Sequence, residues 1–276
     1  MKVCVLASGS SGNCIYVGSD STQILIDAGL SGRATRLRLE QLGVDLAAIQ
    51  AICLTHEHCD HVAGLSTLHT RHGMALYANA GTIEAMQADK KKRALRWQVF
   101  TTGARFAIGD LILEPFAVSH DAYEPVGFVV QRGPVRVGIV TDIGMSTHLV
   151  RERLKPCQAL VIESNHDEHL LSNTRRPWSL KQRIAGRQGH LSNKHAADLV
   201  AEVSGPGLQQ VFLAHLSSEC NRPELALQTM QTALQQRGQA HIQVHLTFPD
   251  RNSALWKYDQ SGRQPCSPAN GGAPGQ

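Results

Sequence analysis

The feature that most constrains this chain is a cluster of potential metal ligands, the sequence HEHCDH at residues 56–61. Residues 51–55 before it are apolar and partly β-branched, which predicts a buried strand. After it, Val62, Leu65 and Leu68 have helical spacing, so the cluster is predicted to lie on the turn between a strand and a helix. Imidazole and carboxylate groups in such a turn suit Zn(II), Mn(II) or Fe(II), and two adjacent ions make a hydrolase the first hypothesis.

The spacing inside the cluster distinguishes it from ordinary surface histidines. A lone His-x-His pair is common, but the full His-x-His-x-Asp-His pattern between a strand and a helix is rare by chance. His56 and His58 alternate by two residues, whereas Asp60 and His61 follow in the turn and could bind a second ion. We therefore predict a metal site with the capacity for two ions.

The motif resembles that of the metallo-β-lactamase superfamily, and further segments match this family in order over roughly residues 1–250. They are Ser8–Asn13, Asp27–Gly29, Ser119–Ala122, Thr141–Gly144, Glu163–Asp167, Gly189–Asn193 and Ala214–Ser217. Together they resemble the YycJ-type branch, also called WalJ or VicX, whose relatives include RNase Z and the phosphodiesterases of phosphonate metabolism. The resemblance implies an α+β or α/β fold, a four-layer αβ/βα sandwich of two mixed β-sheets flanked by helices, with the metals at one edge between the sheets.

The resemblance also implies two divalent metal ions, Zn2+ or Mn2+, and a ligand set for them. The ligands are three histidines for the first ion, two histidines and a carboxylate for the second, and one bridging carboxylate: His56, His58 and His120; His61, His215 and Asp60; and Asp142. Each ligand block follows an apolar stretch that is predicted to be a strand. Cys59 is expected to be a spacer, because its neighbours already fill the family pattern.

The chemistry that the resemblance implies is phosphodiester hydrolysis, in which a metal-bridged hydroxide attacks phosphorus in line. Asp60 could also accept a proton from the attacking water. His190 is the candidate proton donor to the leaving alkoxide, because the Gly-His-Leu-Ser sequence at residues 189–192 resembles the Gly-His-Ser/Thr motif of RNase Z. Glu163 would orient His190, and the alternative is a structural carboxylate at the end of a strand.

A basic segment around His190 indicates how a substrate could be bound. We expect Arg175, Arg176 and Ser192 to contact the substrate, and the two arginines to carry part of the salt dependence of DNA binding. His166 is also assigned to substrate binding, with a substitute metal ligand or a structural role in the loop as open alternatives. The net charge of +4 favours a polyanionic substrate without requiring one.

The resemblance implies an enzyme, most specifically a DNA exonuclease acting from the 5′ side. The alternative is a small-molecule (cyclic) phosphodiesterase or another metallo-hydrolase of the same fold, for which the basic segment would be mere surface. A non-catalytic regulator is disfavoured by the full ligand set. The interval between Asp142 and His215 is too short for the large inserted domain of RNase J, so residues 166–194 would have to hold the nucleic acid.

We predict one domain over residues 1–258, followed by a tail at 259–276 whose Gly, Pro and Ser content is typical of disorder. The seven cysteines are odd in number and lack C-x-x-C spacing, which predicts reduced thiols and a cytoplasmic protein. The apolar N-terminus is too short for a signal-peptide core, and we expect no membrane span. The basic run Lys90–Arg93 is either solvated surface or a nucleic-acid contact.

Local signals predict where several helices begin. Ser31 and Ser192 are expected to cap helices, and Asn221 with Glu224 three residues later resembles a capping box. Residues 166–189 are predicted to form an elaborated loop with one short helix near 180–184, because the segment is polar and lacks a clear apolar period.

Overall fold

Two β-sheets lie at the centre of the computed structural model, which describes residues 1–88 and 94–258. The first sheet contains, in spatial order, β14 (Trp256–Lys257), β1 (Lys2–Ala7), β2 (Cys14–Gly18), β3 (Gln23–Ile26), β4 (Ala51–Cys53), β5 (Ala75–Ala78) and β6 (Trp97–Val99). The second contains β13 (Gln243–Leu246), β12 (Gln210–Ala214), β11 (Ala159–Glu163), β10 (Val135–Val140), β9 (Val126–Arg132), β8 (Leu111–Ala117) and β7 (Phe106–Ile108). The basic run Lys90–Arg93 and the predicted tail at 259–276 lie outside the described residues.

Both sheets are mixed, as predicted. Strands β1 to β3 pair antiparallel and β3 to β6 pair parallel, while β7 to β10 pair antiparallel and β10 to β13 pair parallel. Inner parallel strands such as β3, β11 and β12 are largely apolar because both of their faces are buried.

Helices cover the outer face of each sheet. The helices of the described residues are α1 (Gly32–Glu40), α2 (Cys59–Val62), α3 (Leu65–His72), α4 (Ala80–Gln87), α5 (His148–Leu154), α6 (Glu168–Asn173), α7 (Trp178–Ala185), α8 (Asn193–Val203) and α9 (Pro223–Gln236). Of these, α6 and α7 pack on each other in a separate small apolar cluster. A short 3-10 turn also spans Leu46–Ala48. The four-layer αβ/βα sandwich is therefore confirmed.

Three apolar clusters hold these layers together. One lies between the sheets and includes Ile26 of the first sheet and Phe128 of the second. Another packs α1, α3 and α4 on the first sheet, and the third packs α5, α8 and α9 on the second. Burying both faces of each sheet fixes the relative positions of the strand ends, which carry the functional residues.

The helix-start predictions are partly confirmed. The hydroxyls of Ser31 and Ser192 accept hydrogen bonds from the first turns of α1 and α8. The capping box at Asn221 is wrong: α9 begins after Arg222, and the Asn221 side chain is buried, where it donates to the carbonyl oxygens of Ser164 and Asn165. These long-range hydrogen bonds outcompete the local cap.

The segment before His190 also differs from the prediction. It forms two helices, α6 and α7, rather than one short helix in a loop. Asp167 caps α6 by accepting from the backbone N–H of Leu170. The six described cysteines are free thiols, and all but Cys59 are buried. Across the described residues, no helix is long and apolar enough to cross a membrane.

Candidate metal centre

The loops that follow strand ends bring the predicted ligands together at one edge of the sheets. His56 follows β4 by three residues, His120 follows β8 by three, Asp142 follows β10 by two, and His215 comes directly after β12. The remaining three ligands lie on the turn and the short helix α2 that continue from His56. The carboxyl ends of parallel strands meet at one edge of a sheet, which explains why residues far apart in sequence converge here.

All seven predicted ligands belong to groups whose ligand atoms lie within 4.8 Å of one another. The groups are His56, His58 and His120; Asp60, His61 and His215; His56, His61 and Asp142; and Asp142, Glu163, His190 and His215. Cys59 is exposed and belongs to none of these groups. The residues predicted from the sequence thus form one continuous cluster.

Several predicted ligand atoms in this cluster are buried without a hydrogen bond, and such an arrangement fits a cation-binding site. Nε2 of His56, Nε2 of His120 and Oδ2 of Asp142 have no hydrogen-bond partner among the described residues. A buried polar group left in this state costs about 1–3 kcal/mol. Asp142 Oδ2 also lies 3.1 Å from His61 Nε2, so two ligand atoms face the same space. This nitrogen and oxygen donor set fits a divalent metal.

The imidazole rings are held through their Nδ1 atoms. His61 Nδ1 lies 2.7 Å from Asp27 Oδ2, and the Thr55 hydroxyl donates to the same carboxylate oxygen at 2.8 Å. That hydroxyl also lies 2.9 Å from His56 Nδ1. The carbonyl oxygen of Gly189 similarly lies 3.1 Å from Nδ1 of His120. Fixing one ring nitrogen aims the other at the cluster, as outer partners do in metal sites.

Backbone strain is concentrated at the same place. Of the described non-glycine residues, only Asp27, Asp142 and His215 have positive φ angles, of 63°, 55° and 55°. Such angles cost of order 1–3 kcal/mol and persist where the surroundings enforce them. Two of the three are predicted ligands, and the third holds His61.

The charges of the cluster suit a cation. Burial lowers the pKa of His56 well below its ordinary value, which keeps this ring neutral and able to ligate. Burial also opposes protonation of His61, but the carboxylates of Asp142 and Asp27 outweigh it and raise the pKa of His61 well above its ordinary value. The negative charge of these carboxylates, which favours a proton on His61, would also favour a bound metal ion.

Glu163 links His190 to the ligand cluster. Its Oε1 lies 2.8 Å from His190 Nδ1 and 2.9 Å from His215 Nδ1. Its Oε2 accepts the backbone N–H groups of Ile143 and Leu191 at 2.9 and 3.1 Å. This buried carboxylate therefore positions two histidines at once, a larger role than orienting His190 alone.

The predicted substrate-binding arginines lie on the α6–α7 connection. Arg175 is exposed, and Arg176 Nε forms an ion pair with Glu219 Oε2 at 2.8 Å. Their contact with a substrate stays a prediction.

The other two predicted substrate contacts are buried. The Ser192 hydroxyl accepts the backbone N–H of His195 and donates to Glu168 Oε1 at 2.9 Å, so it is committed to capping α8. His166 is 2% exposed, with Nδ1 unpartnered among the described residues. Burial lowers the pKa of His166 to about 4, so its ring is neutral at pH 7. Contact of either residue with substrate stays a prediction.

Sequence reasoning missed Asn13 and Thr55. Asn13 Nδ2 donates to Asp60 Oδ2 at 3.0 Å, and its Oδ1 accepts the backbone N–H of Gly9 at 2.9 Å. The turn at Ser8–Asn13 has the Gly and Ser residues of a hairpin turn, but it also brings the Asn13 side-chain amide to the ligand cluster. The available signal was a polar residue that directly precedes a buried strand.

Comparisons with known proteins agree with this geometry. The family model for the β-lactamase superfamily domain matches residues 22–216. Exodeoxyribonuclease YycJ of Bacillus anthracis is 37% identical over 241 residues, which cover 85% of this chain and 89% of that protein. Exodeoxyribonuclease WalJ of Streptococcus pneumoniae is 36% identical over 250 residues, which cover 90% and 92%.

A solved structure supports the fold independently. The metallo-β-lactamase fold protein YhfI from Bacillus subtilis superimposes with a TM-score of 0.71 at 16% identity, covering 92% of this chain and 98% of that one. An identity this low supports a shared fold alone.

Proposed function

Since this chain belongs to the metallo-β-lactamase superfamily, we propose that it is a metal-dependent phosphodiester hydrolase, and specifically a 5′→3′ DNA exonuclease. The fold hosts several chemistries, so the residues of the site decide between them. The observation that carries the proposal is the Glu163–His190 pair beside the ligand cluster. A protonated histidine there suits an alkoxide leaving group, and the relatives named exodeoxyribonucleases favour DNA as the substrate.

We propose that the cluster holds two divalent ions, Zn2+ or Mn2+. The proposed ligands are His56, His58 and His120 for one ion, Asp60, His61 and His215 for the other, and Asp142 between them. When bound, such ions supply positive charge to phosphoryl oxygens and make a water molecule a stronger nucleophile.

In this proposal, Asp60 orients the attacking water. Burial opposes its ionisation, but hydrogen bonds to His215 and His61 hold the pKa of Asp60 well below its ordinary value. A carboxylate that is so weakly basic accepts a hydrogen bond better than a proton. Asn13 fixes the direction of the carboxylate by donating to Oδ2.

His190 donates a proton to the leaving oxygen. Burial lowers the proton affinity of its ring, but Glu163 outweighs this effect and raises the pKa of His190. Because Nδ1 is bound to Glu163, Nε2 is the atom available to the substrate. The side chain is 21% exposed, so a phosphodiester can approach it from solvent.

One observation favours the second candidate, a small-diester hydrolase. Two arginines near His190 are already paired with carboxylates, Arg176 with Glu219 and Arg183 with Asp121. Paired arginines attract a polyanion less strongly than free ones do. We propose the cytoplasm as the location, because the six described cysteines form no disulfide with one another.

A comparison of two substrates tests the proposal. Protein reconstituted with Zn2+ or Mn2+ should degrade DNA and hydrolyse bis-p-nitrophenyl phosphate, and Asp60→Ala should abolish both activities. Asp198→Ala, an exposed change on α8, is the matched control and should retain both. Turnover of the small diester with DNA left intact would favour the second candidate instead.

A further inference from the structure

Two neighbouring cavities open beside His190. The larger, of about 710 Å³, is lined by Ser119, Met145, Arg183 and Arg187 among others. The smaller, of about 180 Å³, reaches His190 itself. The Arg183–Asp121 ion pair lines both cavities, so they adjoin through it. The larger lies within the range of about 300–1,000 Å³ that is typical of small-ligand sites.

The larger cavity is built on the loops that carry the candidate ligands. The Ser119 hydroxyl donates to the carbonyl oxygen of Arg187 at 2.7 Å, and Gly144 N–H donates to the carbonyl oxygen of Ser119 at 2.8 Å. A Cβ on Gly144 would lie 2.5 Å from the carbonyl carbon of Arg187, so these backbones pack without space for a side chain. Arg187 is therefore fixed relative to the loops of His120 and Asp142.

Arg187 differs from the other arginine of this cavity. Arg183 Nε is paired with Asp121 Oδ2 at 2.5 Å. Within the described part of the chain, the polar contact of the Arg187 guanidinium is with Met145 Sδ, at 3.3 Å. A thioether is a weak acceptor, so most of the donors of this guanidinium remain available to an anion.

We infer that the larger cavity receives the terminal nucleotide of the strand and that Arg187 binds its 5′-phosphate. This inference rests on the proposed exonuclease function. During the reaction, water oxygen bonds to phosphorus, the bond from phosphorus to the 3′ oxygen of the terminal nucleotide breaks, and His190 protonates that oxygen. The terminal nucleotide leaves with its 5′-phosphate, and the shortened strand also begins with one. Every end after the first cut thus presents the group that Arg187 recognises.

Release of the first nucleotide from matched duplexes tests this inference. One duplex carries a 5′-phosphate and the other a 5′-hydroxyl, and the metal-loaded full chain is used. We expect the KM of the wild type to be at least about tenfold lower for the phosphorylated end, since the hydroxyl end cannot form the charge-assisted hydrogen bond. On the hydroxyl duplex, the first nucleotide should leave slowly and the following nucleotides faster, because the first cut creates a 5′-phosphate end.

Variants at Arg187 identify the group responsible. Arg187→Ala should raise the KM for phosphorylated ends about tenfold, to the value for hydroxyl ends, and Arg187→Lys should restore part of the difference. The control is Arg237→Ala, an exposed change that follows α9 at the opposite end of the sheet. Equal thermal melting temperatures of the variants will separate a binding defect from misfolding.

Two results would overturn the inference, and they differ from failure of the proposed function. Phosphate recognition by Arg187 would be contradicted by equal KM values of the wild type for the two ends. It would also be contradicted by an Arg187→Ala defect of equal size on the phosphorylated and hydroxyl ends. In both cases the protein would still be an exonuclease. A wild type that releases no nucleotide from either duplex would remove the exonuclease, and the inference with it.

Discussion

The ligand cluster and the basic segment at residues 166–194 are neighbours that differ in burial and in how their side chains are held. The cluster is buried, strained at Asp142 and His215, and held by hydrogen bonds to Asp27 and other buried groups. The arginines of the segment are largely exposed and meet carboxylates near the surface, where an ion pair contributes only about 0–1 kcal/mol. We therefore propose that the cluster, together with His190, carries the chemistry and that the arginines of the segment affect substrate binding.

The largest effect should come from the bridging carboxylate. Asp142→Ala removes a carboxylate that would hold both ions in this proposal, so we expect metal binding and both hydrolytic activities to fall below detection. Metal content by mass spectrometry and turnover of both substrates measure this, with Asp198→Ala as the control. Full metal content and activity in Asp142→Ala would show that the cluster has another function.

The next effect should distinguish proton donation from metal binding. His190→Ala should slow DNA cleavage by about 10²–10⁴-fold, as loss of a general acid does. Hydrolysis of bis-p-nitrophenyl phosphate should fall far less, because p-nitrophenolate leaves without a proton. An equal loss on both substrates would assign His190 to the cluster rather than to the leaving group.

A smaller effect is expected from Asp27, which contacts the ligand His61 without being a proposed ligand itself. Asp27→Asn weakens the acceptor for His61 Nδ1 and for the Thr55 hydroxyl, so metal affinity should fall about 10–100-fold. Activity should recover when metal is added in excess, because the ligands themselves remain. Competition with a chelator measures the affinity, and an unchanged value would contradict the orienting role.

The smallest effect belongs to the segment. Arg175→Ala combined with Arg176→Ala should weaken DNA binding and flatten its salt dependence, with a slope change of about 0.9 for each phosphate that the variant no longer neutralises. Arg176 should contribute less than Arg175, since Glu219 already neutralises it. Anisotropy titrations at several salt concentrations measure the slope, and an unchanged slope would show that the two arginines do not contact the DNA.

The parts that sequence predicted well are the parts encoded locally or by family motif. His56 to His61 form one short pattern, and the strand before it is an apolar run, so the motif and its position on a turn were both predictable. The family and its sandwich are confirmed by the comparisons and the structure.

The parts that sequence missed depend on interactions between distant residues. Asn13 reaches Asp60 across 47 positions, and its place before a buried strand does not identify that distant partner. Asn221 has the sequence of a cap but uses its amide on buried carbonyl groups. The sequence predicted one short helix where the structure has α6 and α7, because short, polar helices have a weak apolar period.

The most direct test follows label release from the two ends of one DNA duplex. Chelated protein and protein reconstituted with Mn2+ or Zn2+ are each given DNA labelled at the 5′ or at the 3′ end. The account predicts that metal restores release of a 5′-labelled mononucleotide from the start, while 3′-labelled strands shorten progressively. Intact DNA after metal addition, internal fragments, or release of the 3′ label first would contradict a metal-dependent 5′→3′ exonuclease.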